Sequence, residues 1–235
     1  MNRANYIIFH PDNARDPVRV SATSLVGGKI KRNWLGTIWV DAVGNGNEDP
    51  YVFRNGWIYS YCHASQLRRQ PSENYLQVGS WLIFCSGDKA NDGVLCVDTV
   101  FEIGQIHQWA QMPHLSLPVS FKSVKKDEPD AWKRHFKFPF DGYHDSVTHS
   151  YEARLGRLNS FLPLVNEQRV CIDFDELPKV IRDKVSSKVK GKYPVNLTEK
   201  EMSVTLEIIR KRSHTFVLSD IKLLSSPTVT RKSGC

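Results

Sequence analysis

Two apolar runs separated by a polar stretch constrain the fold of this chain more than any other feature of its sequence. Residues 81–85 (WLIFC) and 94–103 (VLCVDTVFEI) are rich in β-branched and aromatic residues, which is typical of strands. The residues between them, 86–93, are mostly polar and end in glycine. We therefore expect a β-hairpin with a long polar loop near the middle of the chain.

Four further segments have the composition of strands. They are residues 6–9, 34–43, 57–62 and 169–174. The second is followed by the turn sequence GNGN, and Asn55-Gly56 precedes the third. Both are strong turn signals between strands. The first half of the chain is therefore predicted to be rich in strands.

Helical features are concentrated in the second half of the chain. They cover residues 129–136, 147–158 and 176–190, and a helix that begins after Thr198. In the third of these segments apolar residues recur at helical spacing. Thr198 and Glu201 have the pattern of a capping box. In the helix that they open, Met202, Leu206 and Ile209 are expected to share one face.

These patterns predict an α+β fold in one domain spanning residues 1–235. Residues 1–112 are expected to form a β-rich portion, either a small barrel or a twisted antiparallel sheet. Residues 113–235 are expected to form a helical and basic portion, with a frayed tail over 225–235.

The positive charge of the chain is concentrated at its C-terminal end. The net charge is +7, and residues 181–235, with 12 basic and 5 acidic side chains, hold all of this excess. Such a concentration favours a polyanionic partner, above all nucleic acid, although a solvated lysine-rich surface is the alternative. The residues expected to contact the DNA backbone are Arg68, Arg69, Arg182, Lys184, Lys188, Lys190, Lys192, Arg210, Lys211 and Arg212.

Cysteine spacing and hydropathy favour a cytoplasmic protein. The five cysteines are odd in number and widely spaced, without a C-x-x-C pair, so neither a zinc site nor a disulfide framework is expected. Cys85 and Cys96 lie in apolar runs and are interpreted as buried, inert thiols. No run of about 18 apolar residues is present, and the N-terminus lacks the features of a signal peptide.

The central hairpin resembles a known group of nucleic-acid-binding barrels. Gly79-Ser80-Trp81 leads into a hydrophobic strand, a polar loop and a second strand. Over residues 60–104 this arrangement resembles the PUA-like superfamily, which includes the EVE and ASCH domains. It is also similar to units of nucleotide-modification-associated proteins of phages and bacteria, and so suggests a role in antiviral defence.

This resemblance implies a PUA-like barrel with a pocket that reads an RNA base or a modified DNA base. Trp57, Tyr59 and Trp81 would supply aromatic faces, and the loop around Asp88 would form the rim of the pocket. The alternative is that the aromatic residues are alternating core positions of strands.

A second candidate site lies in residues 138–152, where histidines, carboxylates and tyrosines are crowded together. Cleavage of a base from its sugar needs a carboxylate and often an acid for the leaving base, as in glycoside hydrolysis. Asp141 or Asp145 could be the carboxylate, and His144 or His149 the proton carrier. Tyr143 and Tyr151 could stack on a flipped base.

Three other interpretations of this segment stay open. Asp145 could cap a helix, the histidines and aspartates could bind a divalent metal as in a nuclease, or the segment could be a structural loop. Phosphate-binding, dinucleotide-binding, hydrolase and zinc-deaminase motifs are absent from the sequence, so no cofactor is expected.

The function expected from these features is that of a DNA glycosylase that flips a modified base out of duplex DNA and cleaves its N-glycosidic bond. A non-catalytic reader of modified bases is the first alternative, and a metal-dependent nuclease is the second. The expected partner is duplex DNA carrying modified bases, with no membrane contact.

Overall fold

The computed structural model describes residues 3–10, 16–40, 50–53, 56–60, 75–108, 119–127, 149–156, 158–189 and 194–224. The strands are β1 (Asn5–His10), β2 (Asp16–Val26), β3 (Lys29–Val40), β4 (Ile58–Ser60), β5 (Trp81–Ser86), β6 (Val94–Gln108), β7 (His149–Ala153), β8 (Leu162–Val165), β9 (Gln168–Asp173), β10 (Val195–Leu197) and β11 (Thr215–Leu223). The helices are α1 (Gly87–Asn91), α2 (Val119–Asp127), α3 (Lys179–Val189) and α4 (Glu199–Arg212), and Phe174–Glu176 form a 3₁₀ turn.

The strands form one mixed sheet. Its main path has the order β10-β1-β5-β6-β9-β8-β11-β2-β3, and β7 joins β4 to β6 beside this path. Strands β1 and β5 are parallel, and the other pairs are antiparallel. The predicted hairpin of residues 81–103 is confirmed as β5 and β6, with Trp81 opposite Glu102.

The expectation of a basic helical C-terminal half is wrong, because 53% of the described residues lie in strands and 26% in helices. Strands β7 to β11 all come from residues 149–224, and they pair with strands of the N-terminal half as well as with one another. Their apolar residues are buried only as members of this common sheet, so both halves of the chain build one β structure.

The helix expected over residues 147–158 is also wrong. Residues 149–153 form β7, where Tyr151 lies opposite Tyr59 of β4 and Ile106 of β6. Tyr151 is only 1% exposed. Pairing on both sides and burial of this ring outweigh the weak helical spacing of the segment, because strand preference depends on the neighbouring strands.

A short helix replaces the polar loop expected between β5 and β6. The side chain of Ser86 caps α1 by accepting a hydrogen bond from the Lys89 amide at 3.0 Å. Ala90 is buried beneath this turn. The N-cap serine and one apolar contact are therefore sufficient for a helical turn in a polar segment.

Buried residues form two hydrophobic clusters, and successive residues of β1 and β5 alternate between them. In β1, Tyr6 and Ile8 belong to one cluster, and Ile7 and Phe9 belong to the other. Helices α3 and α4 contribute only to the second cluster. They therefore cover one face of the sheet.

The capping box and the apolar face predicted for α4 are both confirmed. The Thr198 hydroxyl accepts a hydrogen bond from the Glu201 amide at 3.2 Å, and the Glu201 carboxylate accepts one from the Thr198 amide at 2.7 Å. Met202, Leu206 and Ile209 are buried. Their burial fixes α4 against β1 and its neighbours, with its last turn above the sheet.

The interpretation of Cys96 as an inert thiol is wrong, because Cys96 and Cys171 form a disulfide. The two residues lie directly opposite each other on β6 and β9. Cys85 is buried, as expected. Among the described helices, none is long and apolar enough to cross a membrane.

Candidate functional site

A pocket of about 320 Å³ lies between the beginning of β1, the beginning of β5 and helix α4. Its polar lining comes from Arg3, Asn5, Trp81, Glu199, Ser203 and Arg210. Met202 and Leu206 supply apolar surface from the buried face of α4. This volume lies at the lower end of the range typical of small-molecule sites.

The parallel pairing of β1 with β5 brings the N-terminal wall of the pocket together. The Asn5 side-chain oxygen accepts a hydrogen bond from the Trp81 amide at 2.9 Å and so fixes the start of β5. Gly79 precedes this strand with φ +86, and a Cβ at this position would overlap the Arg3 guanidinium. The backbone conformation at this position favours glycine, and the absence of a Cβ also leaves room for the Arg3 guanidinium in its present position.

Arg3 is held at the edge of the pocket by an acidic residue of α4. Its Nε donates to the Glu199 carboxylate at 2.9 Å. The hydrogen bond and charge of Arg3 hold the pKa of Glu199 below its usual value. Both side chains are about half exposed, so the pair orients Arg3 but leaves its guanidinium open to a ligand.

Arg210 forms the opposite wall of the pocket. Its guanidinium carbon lies 5.6 Å from the centroid of the Trp81 ring and 5.8 Å from that of Phe161. Nη2 donates to the Leu158 carbonyl at 3.0 Å, whereas the buried Nε has no hydrogen-bond partner within the described parts of the chain. Burial lowers the pKa of Arg210, but an arginine in a protein stays charged.

A buried carboxyl group lies opposite Trp81 in the sheet but is not among the residues that line the pocket. This group belongs to Glu102, which is 6% exposed. Its Oε1 lies 2.8 Å from Nη1 of Arg154. Burial raises the pKa of Glu102, and the charges of Arg154, Arg3 and Arg210 only partly offset this effect.

A second polar pair lies elsewhere in the sheet. The His107 Nε2 atom is 3.1 Å from the Glu152 carboxylate, and the His107 ring meets the Phe121 ring edge to face. His107 is 4% exposed at its side chain and Glu152 is 25% exposed. No cluster of three or more potential metal ligands occurs within the described ranges.

Two residues singled out from the sequence meet in the pocket. Trp81 was assigned to the base pocket and Arg210 to the DNA backbone, and both line this cavity. Sequence reasoning missed Arg3, Glu199 and Glu102. The sequence carries no signal for them, because they meet Trp81 only through the β1–β5 and β5–β6 pairings and the packing of α4.

The other aromatic candidates lie in the core. Trp57, Tyr59 and Tyr151 are 0%, 3% and 1% exposed and belong to the first hydrophobic cluster. The rings of Tyr59 and Tyr151 stack at 6.1 Å. Asp88, in contrast, is exposed in the first turn of α1.

The basic residues of α3 and α4 are largely engaged in ion pairs. Lys184 contacts Glu201 at 2.6 Å, Arg182 contacts Asp175 at 2.8 Å, Lys211 contacts Glu207 at 2.7 Å, and Arg212 contacts Glu176. These carboxylates neutralise much of the charge that the sequence concentrates here. Binding a phosphate would require it to compete with them.

Two further candidates lie within described elements, and the remaining ones lie outside the described residues. Lys188 lies in α3, and His149 begins β7 opposite Gln108. Outside the described residues lie Arg68, Arg69, Asp141, Tyr143, His144, Asp145, Lys190 and Lys192, as well as the helix expected over 129–136 and the tail expected over 225–235.

No family model matches this chain. Comparisons with curated proteins and with solved structures likewise find no match.

Proposed function

We propose that this protein binds DNA and holds one unpaired or flipped nucleotide, carrying a modified base, in the pocket between β1, β5 and α4. The observation that carries the proposal is the position of the Arg210 guanidinium over the Trp81 ring, in a pocket that also contains Arg3. An aromatic face beside two fixed cations suits a ligand that is planar at one end and anionic at the other.

Trp81 is the residue proposed to stack on the base. It is partly exposed and lines the pocket, unlike Trp57, Tyr59 and Tyr151. Stacking of a base on an aromatic side chain contributes about 1–3 kcal/mol. Stacking depends little on which base is bound. A modified base could therefore stack on Trp81 with its substituent at the open side of the pocket.

Arg3 and Arg210 are the residues proposed to bind the phosphate. The Nε of Arg210 is buried without a hydrogen-bond partner in the described structure, and Arg3 is held by a single exposed carboxylate. Guanidinium groups bind phosphate through paired, charge-assisted hydrogen bonds. A bound phosphate would supply further acceptors for the guanidinium groups of Arg3 and Arg210.

This binding is tested with a DNA duplex that carries a single-nucleotide bulge of the fluorescent base 2-aminopurine. Trp81→Leu removes the stacking face and is expected to weaken binding about tenfold, in keeping with 1–3 kcal/mol of stacking. The matched control is Trp39→Leu, which removes a tryptophan that packs under Arg169 at 5.9 Å, elsewhere in the sheet. Equal affinity of the Trp81 variant and the wild type, or an equal loss in the control, would refute the assignment.

A second candidate function, excision of the modified base, is favoured by Glu102. Its pKa is raised and it lies directly opposite Trp81, although it is not one of the residues that line the pocket. A carboxyl group of this kind is suited to protonating a leaving base that reaches it. In this reaction the bond between C1′ and the base nitrogen breaks. Water supplies the oxygen to C1′, and the base leaves with the proton. Asp141 and Asp145 stay candidates for the carboxylate that activates the water.

Excision is tested by incubating modified and unmodified duplexes with the protein in EDTA, followed by alkali. Alkali-labile breaks confined to the modified DNA would support the glycosylase, and Glu102→Gln should then remove them while binding is kept. Intact DNA that is still bound leaves the non-catalytic reader. Cleavage that needs added magnesium would instead support the nuclease.

A further inference from the structure

Strand β3 begins with an exposed segment at the outer edge of the sheet. Residues 29–33 (KIKRN) are all exposed, whereas the later part of the strand alternates between buried and partly buried positions. The strand is the last in the main path, and within the described residues only β2 pairs with it. Its outer edge therefore presents backbone donors as well as side chains.

The charge of this segment is unopposed. Lys29, Lys31 and Arg32 form no ion pair or hydrogen bond within the part of the chain that the structure describes. Residues 17–40 contain four basic side chains and no carboxylate, and of these four Arg19 lies 3.9 Å from the Glu167 carboxylate. On α3 and α4, in contrast, Lys179, Arg182, Lys184 and Lys211 face carboxylates at 2.6–2.8 Å.

The backbone and the apolar side chains of this segment are also similar to those of β ribbons that bind nucleic acid. Asn33 has φ +57, and the β2–β3 register shifts between Ala22 and Ser24, which marks a bulge that twists the strand. Ile30 and Leu35 are 59% and 57% exposed. Basic β ribbons with exposed apolar side chains are one of the ways in which proteins engage DNA grooves.

The segment adjoins the end of the helix that carries the pocket arginine. The Gly27 amide donates to the His214 carbonyl at 3.4 Å, and Val26 pairs with Thr215. His214 lies two residues after the last residue of α4, and it is exposed. The β2–β3 turn therefore lies beside the C-terminal end of α4, in whose last turn Arg210 is located.

We infer that Lys29, Lys31 and Arg32 bind the phosphate backbone of duplex DNA next to the nucleotide pocket. This inference rests on the proposed function for the identity of the polyanion, but it concerns a surface outside the pocket. The main contact with the DNA backbone would then be made by the edge of β3 and not by the ion-paired face of α3 and α4.

The inference is tested with the variant Lys29→Gln/Lys31→Gln/Arg32→Gln and an unmodified 20-base-pair duplex without a bulge, titrated over a series of salt concentrations. Each lost phosphate contact lowers the slope of log K against log salt by about 0.9, so a decrease of about two to three is expected. The matched control, Lys122→Gln/Lys126→Gln/Lys200→Gln, removes the same charge from exposed lysines of α2 and α4 that form no ion pair with another described residue, and it should change the slope by less than one.

An unchanged slope in the β3 variant, or an equal decrease in the control, would overturn the inference. So would a β3 variant that self-associates but binds the duplex normally, because its charges would then serve only to prevent pairing between sheet edges. Affinity for the bulged 2-aminopurine duplex, measured at a fixed salt concentration, shows separately whether the pocket binds the nucleotide. If Trp81→Leu weakens the bulge-specific part of binding but the β3 variant keeps its slope, only the β3 surface is refuted.

Discussion

The Arg210 guanidinium lies 5.6 Å from the centroid of the Trp81 ring, although the two residues are far apart in the sequence. Arg210 belongs to the last turn of α4, and Trp81 is the first residue of β5. Their contact depends on the buried face of α4, which holds the helix against the sheet. The pocket is thus a consequence of the packing of the fold, and it is as rigid as that packing.

Arg210→Lys tests whether the planar guanidinium is needed. Lysine keeps the charge but loses the flat contact with Trp81 and the geometry of the hydrogen bond to Leu158. We expect the variant to fold and to bind the bulged duplex about tenfold more weakly. Arg212→Lys, at an ion-paired arginine of the same helix, is the control and should bind normally. Normal binding by Arg210→Lys would show that charge alone is sufficient.

Gly79→Ala tests the position of Arg3. The added Cβ would overlap the Arg3 guanidinium, and the backbone conformation at φ +86 disfavours alanine. We expect weaker nucleotide binding together with a loss of stability of about 1 kcal/mol or more. Gly93→Ala, at φ +81 with no neighbouring atom within 4 Å, carries only the backbone strain. If both variants lose stability but only Gly79→Ala loses binding, Arg3 is a ligand of the nucleotide.

Local patterns identified much of the secondary structure from the sequence. The β5–β6 hairpin, the strand of residues 169–174 and the capping box of α4 depend on residues close together in the chain, and the structure confirms them. Strand β11 was missed, since its identity depends on pairing with β2 and β8. The same limit explains the error at residues 147–158, where both partner strands are distant in sequence.

The candidate site was less predictable than the fold. The sequence predicts a role for both residues, but it assigns Trp81 to the base pocket and Arg210 to the DNA backbone. Their contact could not be foreseen without the order of the strands. The Cys96–Cys171 disulfide shows the same difficulty, since a separation of 75 residues becomes a contact only when β6 pairs with β9 in this register.

The disulfide should contribute substantially to stability. A cross-link that closes a loop of 75 residues typically stabilises a protein by about 2–5 kcal/mol. We expect dithiothreitol to lower the urea midpoint of the wild type. Cys96→Ala/Cys171→Ala should have the lower midpoint from the start and should not respond to the reductant. A wild-type midpoint that is the same with and without reductant would contradict a structural role for this bond.

Glu201 should stabilise the protein in a pH-dependent manner. Burial raises the pKa of Glu201, but the hydrogen bonds from Lys184 and Thr198 together lower it by a larger amount, so the net shift is downward from 4.5. Its contribution is therefore present above pH 4.5 and is lost as the pH falls through the lowered pKa. Glu201→Ala should lose about 1–2 kcal/mol at neutral pH in urea unfolding. Glu207→Ala, at an exposed ion pair of the same helix, should lose less.

Glu102 should have the opposite pH dependence, because its pKa is raised in the folded protein. Between pH 4.5 and the raised value, the folded state binds more protons than the unfolded state, so the free energy of unfolding falls as the pH rises. Glu102→Gln, which cannot ionise, should show a flatter profile across this interval in urea unfolding. The pKa values of Glu199, Glu201 and Glu207 are lowered, so these three groups affect the stability below pH 4.5 and do not contribute to the slope in this interval. Equal slopes for the variant and the wild type would show that Glu102 is not the group that titrates, and would remove the main support for its role as the acid in base excision.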